Sequence, residues 1–276
     1  MIQIGRMNTL RVVREVEHGF YLKGDEEWDD ILLPRKLAEP DTELDEEIEV
    51  FVHFDSKDMV VATPQVPYAM VGDFAALRVS KVEDFGVFLD WGLDKELFVP
   101  FKEQLFKMEP DQICAVYIYI DKSERIAAST RLSKFIDTKK PGLSEGDSVD
   151  LLLYQETDMG IKAIINNQYS GLIYQDDIRS NLKPGQKMKG FISKIRADYK
   201  IDLVLQPDGL AGRKDLADQI LDKIKKAGGT LNVSAKTPSD QISNMFGVSR
   251  KKFKIALGFL YKKRLITIED DKISLP

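Results

Sequence analysis

Cysteine occurs once, at position 114, and histidine twice, at positions 18 and 53. A lone cysteine excludes an intrachain disulfide and fits a reducing cytoplasm. Two histidines and one cysteine cannot build a His/Cys zinc site either, and no metal or cofactor is expected. No apolar run approaches the roughly 18 residues that a membrane-spanning helix needs. The stretch Met1-Ile2-Gln3-Ile4-Gly5-Arg6 has no charged region leading into an apolar one and no small-residue cleavage site, so no signal peptide is expected. Walker A, GxSxG, HExxH and Cys-x-x-Cys motifs are also missing. Carboxylates are plentiful but gather in turns and in acidic runs such as Asp25-Glu26-Glu27-Trp28-Asp29-Asp30. An enzyme is therefore not expected.

Positive charge is scarce in the first quarter and concentrated in the last. Residues 1–64 hold 7 Lys/Arg against 16 Asp/Glu, whereas residues 212–276 hold 14 against 7. The C-terminal quarter alone is electrostatically suited to a polyanion, and the acidic first block fits a protein partner better.

A repeat organises the rest. Val82-Glu83-Asp84-Phe85-Gly86-Val87-Phe88-Leu89 is a β-rich run with a glycine inside it, and Phe98-Val99-Pro100-Phe101 follows. Counterparts are Val16 to Leu22 with Leu32-Leu33-Pro34, and Thr157 to Lys162 with Leu172-Ile173-Tyr174. Each repeat closes with two more strands, Val50–Asp55 with Met59–Ala62, Val116–Asp121 with Arg125–Ser129, and Phe191–Arg196 with Lys200–Leu205. The spacing of Gly19, Gly86 and Gly160 suits one small barrel of about five strands per repeat. A mid-strand glycine is expected to bend or bulge the strand at a barrel corner.

After the turn-rich stretch 206–212, an expected linker, the periodicity becomes helical. Leu216, Ile220, Leu221 and Ile224 share one face and Gly228-Gly229 stops the helix. A second helix starts at Pro238-Ser239-Asp240 and ends at Phe246-Gly247. Ser249 caps a third, which runs to about Lys263 with Phe253, Leu257 and Leu260 inside. A hairpin around Glu269-Asp270-Asp271 completes the order of a winged helix. The expected domains are 1–64, 65–138, 143–208 and 212–276. The fold class is mainly β, three tandem five-stranded barrels followed by a C-terminal α+β winged helix.

The second repeat carries the fullest set of groups for single-stranded nucleic acid. Phe85 and Phe88 flank Gly86, Asp121 and Arg125 face each other across the last hairpin, and Arg131 and Lys134 follow. Rings stack on bases while cations track phosphates. With Leu97-Phe98-Val99-Pro100 between them, these residues resemble an S1 RNA-binding domain of the OB type. That family's RNA face uses two aromatics near the glycine, a histidine in the third strand, and an Asp and an Arg four apart. Pro100 stands at the histidine position. The first repeat offers His18 and Tyr21, Pro34, and Asp55, with Met59 in place of the arginine. The third offers Met159 and Lys162 in place of the aromatics, then Tyr174, Arg196 and Lys200. The whole arrangement resembles the bacterial conserved virulence factor B family. That resemblance implies cytoplasmic RNA binding linked to the regulation of gene expression.

Other readings stand beside this one. Strand aromatics are core residues more often than not, and positions three apart face opposite sides of a straight strand. Phe85 and Phe88 therefore share a face only if the chain bends at Gly86. Asp121 and Arg125 together could be a hairpin ion pair worth ~0–1 kcal/mol. In the winged helix, Arg250, Lys251, Lys252 and Lys254 open the third helix, where major-groove readers place their contacts. Duplex DNA is thus a second ligand open to that domain, with the barrels as sensing or oligomerising modules. A protein–protein adaptor working through the acidic first barrel is a third reading.

Overall fold

The computed structural model describes residues 1–55, 57–178, 181–205 and 211–276, with side chains described from 216 onward in the last stretch. The expected linker at 206–212 lies mostly outside these residues. By backbone proximity the chain forms two compact units: 1–142 with 149–189 and 196–201, and 143–148 with 190–195 and 202–276.

Among the described residues, fifteen strands come first, then a small α+β region. Barrel one contains β1 (Met7–Val16), β2 (Gly19–Leu22), β3 (Ile31–Pro34), β4 (Glu47–Phe54) and β5 (Val60–Thr63). Barrel two contains β6 (Phe74–Glu83), β7 (Gly86–Asp90), β8 (Leu97–Pro100), β9 (Ile113–Ile120) and β10 (Ile126–Ser129). Barrel three contains β11 (Ser148–Thr157), β12 (Gly160–Ile165), β13 (Tyr169–Tyr174), β14 (Lys187–Ile195) and β15 (Ile201–Val204). All three close in the same cyclic order, with the first strand between the second and fourth, and the third beside the fifth.

The first strand makes closure possible because it serves two neighbours. In barrel one β1 pairs with β4 through Met7–Arg11 and with β2 through Val12–Val16. Its register slips between Val12 and Arg14, and the same slip recurs between Val79 and Lys81 and between Leu153 and Gln155. A bulge there bends the strand around the barrel. Val12, Val79 and Leu153 are fully buried at the three bends.

The repeat glycines do not sit inside strands, as the sequence pattern had suggested. Each begins the second strand after a two-residue turn, at Glu17-His18, Asp84-Phe85 and Asp158-Met159. The bend falls on the first strand instead, and each of these runs spans the two arms of a hairpin and the turn between them. Gly19 and Gly160 have φ of 155° and 144°, and a Cβ there would lie 2.1 and 2.0 Å from the carbonyl oxygens of Leu33 and Ile173. Only glycine tolerates that approach of the third strand.

The barrel-two core, Val79, Leu89, Trp91, Val99 and Ile118 among others, is continuous with Phe51 and Met7 of barrel one. Phe74, Ala115 and Leu132 pack against Leu152 and Ile164 of barrel three.

The C-terminal region contains α1 (Ala211–Lys226), β16 (Thr230–Leu231), α2 (Ser239–Phe246), α3 (Arg250–Lys262), β17 (Thr267–Ile268) and β18 (Ile273–Ser274). The helices start and stop where the sequence signals them. Ser249 Oγ accepts from the Lys252 amide, and Gly247 ends α2 in the left-handed conformation at φ 67°. The short β16, which pairs with β18 and makes the wing sheet three-stranded, carries no sequence signal of its own. Leu216, Ile220, Ile224, Ile242, Phe253 and Leu257 form its core.

Candidate nucleic-acid interface

The aromatic face of barrel two begins with a turn. Phe85 occupies the β6–β7 turn rather than a strand, which frees it from the alternation that would turn it away from Phe88. It is 62% exposed. Phe88 on β7 pairs across the sheet with Phe98 on β8. The three rings meet edge to face and tilted, with centroids 5.9 Å (Phe85–Phe88), 5.2 Å (Phe88–Phe98) and 6.0 Å (Phe85–Phe98) apart. Gly86 is the seat of this cluster, because a Cβ there would strike the Phe98 ring at 2.4 Å. Lys81 Nζ lies 4.7 Å from the Phe88 centroid while bridging to Glu96 at 3.0 Å. Burial pulls the Glu96 carboxyl upward, but hydrogen bonds from Ser80 and Lys81 outweigh it, and its pKa ends lowered.

Beyond the rings lies a cavity of about 530 Å³ whose far wall is barrel one, at His53, Phe54 and Asp58. The alternative reading of Asp121 and Arg125 as a hairpin ion pair is corrected here. Asp121 and Arg125 do not pair side chain to side chain. Asp121 Oδ1 instead accepts from the Ser123 amide (2.7 Å), the Ser123 hydroxyl (2.6 Å) and the Arg125 amide (3.2 Å), so it builds the turn. Those bonds outweigh burial, which acts in the opposite direction, and hold its carboxyl below the usual range. The Arg125 guanidinium reaches into barrel one and donates to Asp58 Oδ2 at 2.5 Å. Beside it Lys95 Nζ donates to the Asp55 carbonyl at 2.6 Å, and burial lowers its pKa. Arg131 is used as a brace, donating to the carbonyls of Lys102 (2.8 Å) and Gln104 (3.1 Å).

The other barrels rebuild this face with different chemistry. In barrel one His18 and Tyr21 meet edge to face at 6.3 Å, and Arg14 lies over Tyr21 at 4.3 Å. Arg14–Tyr21, Lys81–Phe88 and Gln155–Lys162 are the same cross-strand pair in the three barrels. A cation over a ring in the first two becomes a 3.2 Å hydrogen bond from Lys162 to Gln155 in the third. Asp55 caps its own turn through the amides of Lys57 and Met59, and the Met59 side chain is exposed. Pro34, Pro100 and Tyr174 stand opposite Gly19, Gly86 and Gly160. In barrel three the Arg196 guanidinium donates to the Tyr174 hydroxyl, Lys200 pairs with Asp198 at 2.8 Å, and Met159 is exposed.

In the winged helix Lys251, Lys252 and Lys254 are exposed on α3. Arg250 is not available in the same way, because its guanidinium donates to the Ala235 carbonyl at 3.1–3.2 Å.

An S1 domain model matches residues 4–65 and again 71–131, and a CvfB-like winged helix domain model matches residues 218–275. Conserved virulence factor B of Staphylococcus epidermidis is 24% identical, over 99% of this chain and 94% of its own. The chain is thus similar to conserved virulence factor B proteins over nearly its full length, and it contains S1 domains and a CvfB-like winged helix domain. Another relative, the uncharacterized protein YitL of Bacillus subtilis strain 168, is 27% identical over 94% of this chain and 89% of its own. A crystal structure of a multidomain protein with nucleic acid binding domains from Streptococcus pneumoniae TIGR4 covers 99% of the chain and 98% of its own, at 20% identity and a TM-score of 0.43. S1 and winged-helix domains are nucleic-acid-binding domains in kind, and no helix among the described residues is long and apolar enough to cross a membrane.

Phe98 and Asp58 are parts of this face that the sequence does not single out. Phe98 was visible as an aromatic in a strand, and its alternation with buried Leu97 and Val99 could have marked it as outward-facing. Asp58 carried no signal, because its partner Arg125 is 67 residues away. Asp58 sits at φ 59°, which asparagine tolerates, so Asp58→Asn is a safe substitution. It releases Arg125 and removes a competing anion. Affinity for single-stranded nucleic acid is expected to rise about threefold, with a steeper salt dependence, as befits an exposed ion pair. Titrations at two salt concentrations check this, and an unchanged or weaker affinity contradicts it.

Proposed function

We propose that this protein binds single-stranded RNA without altering it chemically, through the aromatic face of barrel two and the cationic winged helix, with barrel three adding cations. Barrel one serves mainly as a wall of the barrel-two site and as a candidate surface for a protein partner. The observation that carries this reading is the cluster of Phe85, Phe88 and Phe98 at the barrel surface. Unpaired bases can stack on such a cluster, at about 1–3 kcal/mol each, whereas bases inside a duplex cannot reach it. The excess of cations in residues 212–276 supplies attraction for phosphates that the acidic first barrel lacks. RNA rather than DNA, a cytoplasmic setting and a role in the regulation of gene expression follow from the family resemblance. The single thiol, Cys114, buried and pushed up to about 11 by burial, suits a reducing compartment.

Competition among single-stranded RNA, single-stranded DNA and duplex DNA of one sequence tests the proposal. Single-stranded RNA is expected to win, with affinity falling as salt rises. A second reading, duplex DNA recognition by the winged helix, is favoured by the cationic α3 after the tight turn at Gly247. Preference for the duplex would establish it in place of the first.

A further inference from the structure

The outer face of α3 contains a residue that the helix itself does not need. Gly258 lies in the third turn of the Arg250–Lys262 helix. Glycine weakens a helix interior, and position 258 offers no compensation within the chain. Its φ is not left-handed, and a Cβ built on it would find nothing within 4 Å. No turn, close packing or strained backbone requires glycine here.

Helical geometry shows what the position faces. At about 100° per residue, Gly258 lies about 100° around the axis from Leu257 and about 140–160° from Phe253, Ala256 and Leu260, on the side of α3 away from its buried face. Lys251, Lys254 and Lys262 lie within about 40° of it around the axis. Ile255 and Tyr261 flank it at about 60° on either side and are 41% and 57% exposed. Lys254 and Lys262 have no hydrogen-bond or ion-pair partner among the described residues, and α3 contains no carboxylate. A flat, side-chain-free spot ringed by cations and flanked by two apolar groups fits a partner that is anionic, brings its backbone close, and carries rings or sugars.

We infer that Gly258 is the seat on α3 for the sugar–phosphate backbone of a nucleic acid, so that contact is centred on the middle of the helix. This rests on the proposed nucleic-acid binding and adds where and how closely the strand docks. Arg250 braces the Ala235 carbonyl, and Lys252 lies about 120° from Gly258, so the first turn of α3 is peripheral to this seat.

The test uses the full chain with a fluorescent single-stranded RNA and, in a parallel arm, a duplex DNA of the same sequence. Gly258→Ala is expected to weaken binding about fivefold or more, and Gly258→Leu further, as added carbon overfills the contact. The thermal midpoint should stay equal or rise, because both residues are better helix formers in open space. That opposition separates a lost contact from a damaged fold. As a second measure, Lys254→Gln and Lys262→Gln should each lower the salt slope by about 0.7 on single strands, and Lys252→Gln by less. The arm that weakens identifies the backbone seated there, RNA or DNA. Wild-type protein binding RNA with the Gly258 variants unaffected in both arms overturns this inference alone. Wild-type protein binding neither nucleic acid overturns the proposed function with it.

Discussion

Phe253→Ala is expected to unfold the winged helix. The Phe253 side chain is fully buried at the first turn of α3 and packs on Phe246 of α2 with ring centroids 4.9 Å apart. The same buried cluster contains Ile220 and Ile224 of α1 and Leu257 of α3 itself. Truncating such a ring costs about 3–5 kcal/mol, the lost transfer energy plus the cavity left behind. A domain of this size rarely has more than about 3–5 kcal/mol of stability from one hydrophobic core, so the loss is comparable to the whole. All the described α-helices belong to this region. Helical circular dichroism should therefore fall, and RNA affinity with it, as the cationic face of α3 loses its frame. Phe253→Leu, which keeps most of the volume, should retain both. Full helicity in the alanine variant would contradict the assignment of Phe253 as the keystone of that core.

The second large effect is expected on the aromatic face. Phe88→Ala and Phe98→Ala should each weaken single-stranded RNA binding by about 1–3 kcal/mol, roughly 5- to 150-fold, if each ring supports a stacked base. The rings touch one another, so the double variant should lose less than the sum of the two. Gly86→Ala offers a version in which no ring is removed. Its methyl would meet the Phe98 ring at 2.4 Å and the Val99 carbonyl at 2.8 Å, which forces Phe98 off its seat. Affinity should fall there too, with the aromatic content unchanged. Undiminished affinity in the Phe88/Phe98 double variant, with a normal melting transition, would remove the aromatic face from the proposal.

Much of the fold is legible in the sequence. Alternating apolar residues and a recurring glycine revealed three small barrels, and Ser249, Gly247 and the Gly228-Gly229 pair punctuated the helices where the caps are found. These signals are local, since a cap or a strand period is carried by residues within a few positions of one another. The site was less legible. Phe85 and Phe88 share a surface because Phe85 lies on a turn, whereas the expected bend at Gly86 falls on the first strand instead. Asp121 and Arg125 were read as facing partners, yet the carboxylate closes its own turn and the guanidinium crosses to another barrel.

The amino-acid sequence by itself determined the element types, the three-barrel and winged-helix order, and the concentration of positive charge at the C-terminal end. Tertiary structure decided which side chains share a surface. Phe98 joins Phe85 and Phe88 through strand register, and Asp58 meets Arg125 because two barrels lie side by side. Periodicity specifies which face of a strand a residue occupies, but partnership across strands and barrels depends on how distant segments close on one another, which no local pattern encodes.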